Sequence, residues 1–437
     1  MDTKRPTSIF PVLLVNFIGM LGYSIIIPIL VFLVEKFGGN EFIYGLLGSI
    51  YPAFQLIGAP LLGRWSDDIG RKRVLLISQI GTFLAWLLFI LALFLPRNEL
   101  FSIESGWMGT FFVTLPLICL FFARALDGIT GGNVSVANAY LSDVSTDANR
   151  KANFGKMASS TSLGFIIGPA LAGVLGATVY EELLPVIVAA LVSLVAIWVI
   201  QKYLPESREQ LVKPDLKTFN IRKLFQIEHK ECYQMDNCMD LSLRAILRQP
   251  LIPMLFFIYF LTFLGFSFFY SGFPVFATQY LSWEPAQLGL FFTVSSLVMV
   301  VVQGPVLSYL SDKVDDVYLV LFGSLLLGTS FLLFPIGNMV GVYGGCVLLS
   351  IGNGLMWPSF LSILSQTGVP VIQGTIQGYA SSMGSLASIF GLILGGLLFG
   401  VIGPQVFYIA GAMLFLIFLL TFRLIGSAKK EVTTSTN

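Results

Sequence analysis

The stretch GRWSDDIGRKR, Gly63 to Arg73, separates two long apolar runs and decides how the chain must fold. Two adjacent carboxylates, four cations and two glycines make it too polar to enter hydrocarbon, where a central charge is expensive. It therefore reads as a tight aqueous turn between two membrane-crossing helices. Working outward, the 437-residue chain is 56% hydrophobic and only 11% charged, against roughly 25% charged residues in an average soluble domain. Apolar runs near the ~20 residues needed to span a bilayer recur along it. Twelve are expected, near 9–34, 43–63, 74–95, 111–141, 154–178, 183–203, 251–281, 286–309, 317–337, 341–366, 375–402 and 404–426. The first is too long for a signal-peptide core and lacks a small-residue cleavage site, so it reads as a retained helix.

The cations set an orientation. Of 25 Lys and Arg residues, all but Lys36, Arg97 and Arg124 fall on one side of this arrangement. The positive-inside rule then puts both termini in the cytoplasm of a multi-pass protein of the cell membrane, the inner one where there are two. A net charge of +1 argues against a nucleic-acid partner. The lipid bilayer is the large partner, and a monomer is the expected unit. Cys119 and Cys346 fall within spans, while Cys232 and Cys238 lie in a central segment where thiols stay reduced. There, His229, Glu231, Cys232 and Cys238 fit no standard zinc spacing, so no metal or cofactor is implied. His229 is the only histidine, which excludes a His-based catalytic triad within the membrane.

The halves repeat. Phe17/Phe263, Gly19/Gly265 and Pro28/Pro274 share one offset, and Pro60/Pro305, Leu62/Leu307, Ser66/Ser311 and Asp67/Asp312 nearly the same one. Spans 5 and 11 align through Gly155/Gly378, Ser159/Ser382, Ser162/Ser385, Gly168/Gly391 and Gly173/Gly396. The expected fold is an all-α membrane protein: twelve helices in two pseudo-symmetric six-helix bundles, with a site at their interface. Residues 1–203 would form the first bundle, 204–250 a cytoplasmic central loop, and 251–437 the second bundle with a short tail.

Away from the span ends, span 4 holds the only charges within the predicted spans. Arg124 and Asp127 share a helical face that continues through Gly131, Ser135, Asn138 and Ser142. Such a stripe needs a partner or a water-filled cavity. It serves either as a static pair that fixes packing or as a group that changes state during function.

These motifs resemble those of the major facilitator superfamily. Gly63, Asp67, Gly70, Arg71 and Lys72 match its loop pattern G-x-x-x-D-(R/K)-x-G-R-(R/K), with Asp68 where a cation is usual. Arg124, Gly128 and Gly132 match its span-4 motif. Gly164, Gly168, Pro169 and Gly173 match the span-5 motif of its proton-driven exporters, with Ala172 the one departure. The closest resemblance is to tetracycline-exporter-like drug:proton antiporters. It implies a secondary active transporter moving small amphiphilic organic molecules by alternating access, not an enzyme. An uncoupled facilitator or importer is the alternative, and a non-transporting receptor or scaffold a more distant one. No phosphate-binding loop for ATP occurs.

The resemblance also implies roles for residues. Asp67, with Gly63, Gly70 and Arg71, would latch the cytoplasmic side against the start of span 11, near residues 373–378, and Asp312 would do the same near residues 153–156. Those exporters carry an aspartate in span 1 where this chain has Gly19, nine residues before Pro28. That leaves Asp127, with Arg124, to carry protons. Asn16, Tyr23, Gln55, Asn138, Thr262 and Tyr270 are the candidate substrate contacts, with Tyr259, Phe266 and Phe269 also expected to face inward.

Overall fold

In lipid, each backbone N–H and C=O must be paired within the protein, so a chain with these apolar runs has little choice but helices. The computed structural model describes residues 9–207, 246–249, 251–367 and 373–435. The first bundle contains α1 (Phe10–Ile25), α2 (Leu30–Lys36), α3 (Glu41–Asp68), α4 (Arg71–Phe94), α5 (Leu115–Thr130), α6 (Asn133–Val144), α7 (Asp147–Gly176) and α8 (Leu183–Tyr203). The second contains α9 (Ile252–Gln279), α10 (Pro285–Val301), α11 (Leu307–Ser311), α12 (Asp316–Leu333), α13 (Met339–Gln366), α14 (Gln373–Ile402) and α15 (Val406–Ser435). Most of the central segment, and with it His229, Glu231, Cys232 and Cys238, lies outside the described residues.

Several spans are composite. Pro28 supplies no N–H, and α1 and α2 meet there at 42° to form one bent crossing. The fourth crossing pauses at Gly131–Gly132 between α5 and α6. The eighth passes through a π turn, Val302–Val306, which accommodates Pro305 before α11. Among the described residues, ten segments are long and apolar enough to cross by themselves, and the bent pair makes one more. One of the ten, Ile376–Arg423, runs 48 residues, roughly 70 Å of helix and too long for one ~30 Å core. A 3-10 turn at Gly403–Gln405, with Gly403 at φ +60°, divides it into α14 and α15. Twelve crossings result.

Two expectations change. The polar stretch is mostly helix: α3 continues to Asp68 and α4 begins at Arg71, leaving Ile69 and Gly70 as the turn. Gly70 has φ +103°, the left-handed region that favours glycine. Residues 111–114, expected within span 4, instead form part of a hairpin, β1 (Glu99–Ser105) with β2 (Gly109–Thr114), paired antiparallel as Ser102↔Phe112 and Glu104↔Thr110. Aromatic and β-branched residues suit the strand. Thr114 then caps α5, its hydroxyl accepting from the Leu117 N–H at 3.4 Å.

Glycines bring the bundles together. Gly173 of α7 lies against Gly289 of α10, and its repeat mate Gly396 of α14 lies against Gly45 of α3. Both crossings sit toward the end of the molecule that carries the hairpin. At the other end, which carries the Gly63–Arg73 loop, Gly63, Gly155, Gly304 and Gly378 face open space. The repeat extends to hydrogen bonds: Ser159 donates to the Gly155 carbonyl and Ser382 to that of Gly378, each at 3.0 Å.

A Cβ at Gly289 would collide with the Gly173 backbone. Gly289→Val should therefore loosen the hairpin end, raising cysteine-crosslinking distances between α7 and α10 there. Gly304→Val, which meets nothing, should leave those distances unchanged.

Candidate functional site

The site grows from the close contact of α3 with α5. A Cβ at Gly58 would strike the Ile129 carbonyl, one at Gly128 the Tyr51 carbonyl, and one at Gly132 the Ala59 backbone. Small residues let the two backbones approach, and this brings Tyr51 beside the charged face of α5. The Arg124 guanidinium lies over the Tyr51 ring, 4.9 Å from its centroid. Its Nη1 is 3.6 Å from Asp127 Oδ2. Both charged residues are buried. Gln55 donates to the Tyr51 hydroxyl at 3.3 Å and to the Gly131 carbonyl at 3.1 Å. Tyr23 of α1 packs on Tyr51 at 4.9 Å and on Phe165 of α7 at 5.9 Å.

A guanidinium shared between a carboxylate and a ring face is held without being saturated. Arg124 Nε meets no hydrogen-bond partner. At 3.6 Å the ion pair is loose beside a charge-assisted hydrogen bond of ~2.8 Å. The arrangement can change partners without a large structural break, as a group that alternates between two states requires.

The other candidates divide. Tyr23, Gln55, Arg124 and Asp127 come together. Tyr270 of α9 meets the first bundle: its carbonyl accepts from the Tyr44 hydroxyl at 3.1 Å. Thr262 is buried and turns its hydroxyl back to the Ile258 carbonyl at 2.8 Å. Asn138 is half-buried on α6. Asn16 is occupied by span 5, its amide donating to Ser160 Oγ at 2.7 Å and Thr161 Oγ1 at 2.8 Å. Phe269 does not face the cleft. It lies in an aromatic core with Phe273, Phe291, Phe331 and Phe334, ring centroids 5.1–6.4 Å away. Within the span-5 motif, Gly164 and Gly168 receive α1, and Ser24 donates to the Gly164 carbonyl at 2.9 Å. Pro169 lies inside an unbroken α7.

At the loop end, Asp67 pairs with Arg71 at 3.0 Å, and Arg71 also reaches Asp143 at 3.1 Å. Two residues absent from the sequence reading complete this cluster. Glu206 accepts from the Arg71 and Lys72 N–H groups at 2.8 and 3.2 Å, capping the exposed start of α4. Asp143 accepts from Ser207 at 3.1 Å. Their available signal was a carboxylate just past a span on the same side as the loop, Asp143 after the fourth and Glu206 after the sixth. Asp312 is exposed. The segment 368–372, just before the end of α14 expected to meet Asp67, lies outside the described residues. Also unforeseen were Gln79 and Thr82, polar residues three apart in the apolar run of α4, hence on one face.

The hairpin end is held across the bundles by polar contacts as well as glycines. Thr278 donates to Glu35 at 2.8 Å and Gln279 to Glu41 at 2.6 Å. Beside them, Lys36 binds Glu181 at 2.6 Å and Glu182 at 2.8 Å. The hydrogen bond from Lys36 holds the Glu181 carboxyl below its usual range.

The sequence profile of the Major Facilitator Superfamily matches residues 12–378 and, in an overlapping match, 255–437. The chain belongs to the major facilitator superfamily. Relatives within it include the class D tetracycline resistance protein of Salmonella ordonez, 25% identical over 391 residues, covering 89% of this chain and 88% of the relative. Multidrug resistance protein 1 of Bacillus subtilis (strain 168) is 26% identical over 420 residues and 94% of each chain. The crystal structure of the human organic anion transporter MFSD10 (TETRAN) superposes with a TM-score of 0.66 at 22% identity, over 96% of this chain and all of that one. The major facilitator fold is thus that of a membrane transporter.

Asn16 pins α1 to α7 through two hydroxyls, and interhelical hydrogen bonds in membranes average ~0.6 kcal/mol each. Asn16→Leu should lower unfolding stability by about 1 kcal/mol in a thermal denaturation assay, leaving ligand affinity unchanged. A loss of affinity at full stability would assign Asn16 to the substrate instead.

Proposed function

We propose that this protein is a proton-coupled exporter of small amphiphilic organic molecules. The observation that carries this reading is the buried Arg124–Asp127 pair, held loosely against Tyr51 and beside Tyr23. The tetracycline and multidrug resistance relatives support the substrate class, and the rings of Tyr23, Tyr51 and Phe165 offer a wall suited to flat, partly apolar molecules. The hairpin end faces outside and the loop end faces the cytoplasm, with both termini inside and 204–250 as a cytoplasmic divider between two moving bundles. The glycine crossings then close the outer side, and the open loop end admits substrate from within. One chain contains the whole site, so the monomer is the working unit.

The cycle follows from the competition at Asp127. As an anion it holds Arg124. When it takes a proton from outside, the pair loosens, and Arg124 is released toward Tyr51 and substrate. Differing contacts of Arg124 in the two protonation states are what coupling requires. At the loop end, Asp67, Gly70, Arg71 and Glu206 form the latch that engages when the bundles close there, with Asp312 its repeat counterpart. Gly19, where the tetracycline-exporter-like pattern has an acid, favours a second reading: the same fold working as an uncoupled facilitator.

Proteoliposomes with an imposed pH gradient and tetracycline as probe separate these readings. Asp127→Asn should abolish uphill accumulation while downhill exchange stays measurable, and Arg124→Gln should impair both. Gradient-driven pumping by Asp127→Asn would favour the static pair. Sidedness has its own test in a background lacking Cys232 and Cys238. Glu99→Cys should react with an impermeant maleimide on intact cells, and Lys217→Cys only after permeabilisation. The reverse pattern would invert the topology.

A further inference from the structure

The first bundle contains a recess of its own. It lies between α1, α3, α4 and α5–α6, has room for about one water molecule, and is lined by Gly19, Tyr23, Gln79, Thr82, Asp127 and Asn133 among others. A second, narrower recess shares Gly19, Met20, Asn133 and Val134 with it and continues to Asn16, Leu75 and Ala137. The two meet at Gly19, where an added Cβ would touch nothing within 4 Å. Together they run from Asp127 along α1 and α6 toward the loop end.

Gln79 is the anomaly. It is 1% exposed, yet neither Nε2 nor Oε1 meets a protein hydrogen-bond partner. Buried amides in native proteins are almost always paired, with protein or with ordered water. Gln79 offers a donor and an acceptor side by side, Thr82 lies on the same face of α4, and Asn133 stands on the opposite wall. Water needs two to four polar partners and about one probe sphere of space, and the recess supplies both. A metal cation is disfavoured, because the Arg124 guanidinium stands 3.6 Å from the one carboxylate present. The titratable groups facing Asp127 are Arg124 on its own helix, Tyr23 from α1 and Tyr51 from α3. The α4 wall contributes only the neutral Gln79 and Thr82.

We propose that this recess is a water site organised by Gln79, and that its water accepts the proton which Asp127 releases. The carboxyl O–H bond breaks, its electron pair stays on Asp127, and the water becomes hydronium. The proton then leaves through the second recess toward the loop end. Proton and substrate thereby take separate routes, one inside the first bundle and one between the bundles. Gln79 is a positioning residue: it acts through the water it holds. The inference rests on the reading that Asp127 couples transport to protons.

Gln79→Leu keeps the volume and removes both hydrogen-bonding atoms. Gly19→Leu fills the recess from α1 while leaving Gln79 and Asp127 chemically unchanged, and serves if the first variant fails to fold. Two readouts apply: tetracycline transport in proteoliposomes, and X-ray hydroxyl-radical labelling of the purified protein read at Met20. Either variant should slow gradient-driven accumulation by about a hundredfold, in the range for loss of a positioned proton acceptor. Downhill exchange should persist, and Met20 labelling should fall to background. Wild-type pumping in both variants, or undiminished Met20 labelling, overturns the proposal. Asp127→Asn run in parallel separates two failures. If it pumps uphill, the coupling reading falls and takes the relay with it. If it is inactive uphill while Gln79→Leu pumps normally, only the water relay is wrong.

Discussion

Helices in hydrocarbon gain nothing by hiding apolar side chains from lipid that is equally apolar, so their association depends on how closely backbones can approach. This constraint accounts for the glycine pattern of the chain. Gly164 and Gly168 receive α1, Gly391 and Gly395 receive α9, and Gly58, Gly128 and Gly132 let α3 and α5 cross in contact. The same device joins the halves, through Gly173 on Gly289 and Gly45 on Gly396. Dispersion contacts at such crossings are short-ranged. They are made or lost with a small rotation of one bundle against the other, which suits a protein that must open at one end while closing at the other.

The second constraint is the cost of charge. Arg124 and Asp127 cannot face lipid, and the close α3–α5 crossing gives them Tyr51 and a polar recess. The charged cluster of Asp67, Arg71, Asp143 and Glu206 gathers at the loop end, where water is available, and caps α4 as it does so. Hence one bundle carries both the ionisable interior and the linked loop. The other contributes a dense aromatic core built on Phe269, Phe273 and Phe291, and a wall of the cleft. This asymmetry is one of side-chain chemistry, set on a repeat that reaches as far as the Ser159 and Ser382 hydrogen bonds.

Much of this was legible in the chain. Span existence follows from hydrocarbon thickness, and α8, Leu183–Tyr203, falls on the expected residues. The repeat was readable because paired residues at fixed offsets survive low-complexity apolar sequence. Boundaries were less legible where a helix projects beyond the membrane, as α3 does to Asp68, because hydropathy reports the lipid boundary and helical hydrogen bonding continues past it. The hairpin at Glu99–Thr114 was missed for a related reason: Phe111, Phe112 and Val113 are as apolar as a span, and periodicity over so few residues does not separate strand from helix.

Sequence by itself determined class, crossing number, repeat and the ion pair of span 4, because these depend on composition and on spacing within one helix. It also narrowed the site to span 4, since a charge in hydrocarbon is informative wherever it falls. Tertiary structure decided which polar groups are free. Asn16 and Gln79 look alike along the chain, as amides in apolar runs. Asn16 is occupied by Ser160 and Thr161 of a helix more than a hundred residues away, while Gln79 faces a recess with no protein partner. Likewise the burial of Phe269, the capping of α4 by Glu206, and the glycine contacts between the bundles at the hairpin end depend on contacts between segments far apart in sequence. Hydrogen bonds and packing act over a few ångströms of space, and distance along the chain does not report that separation.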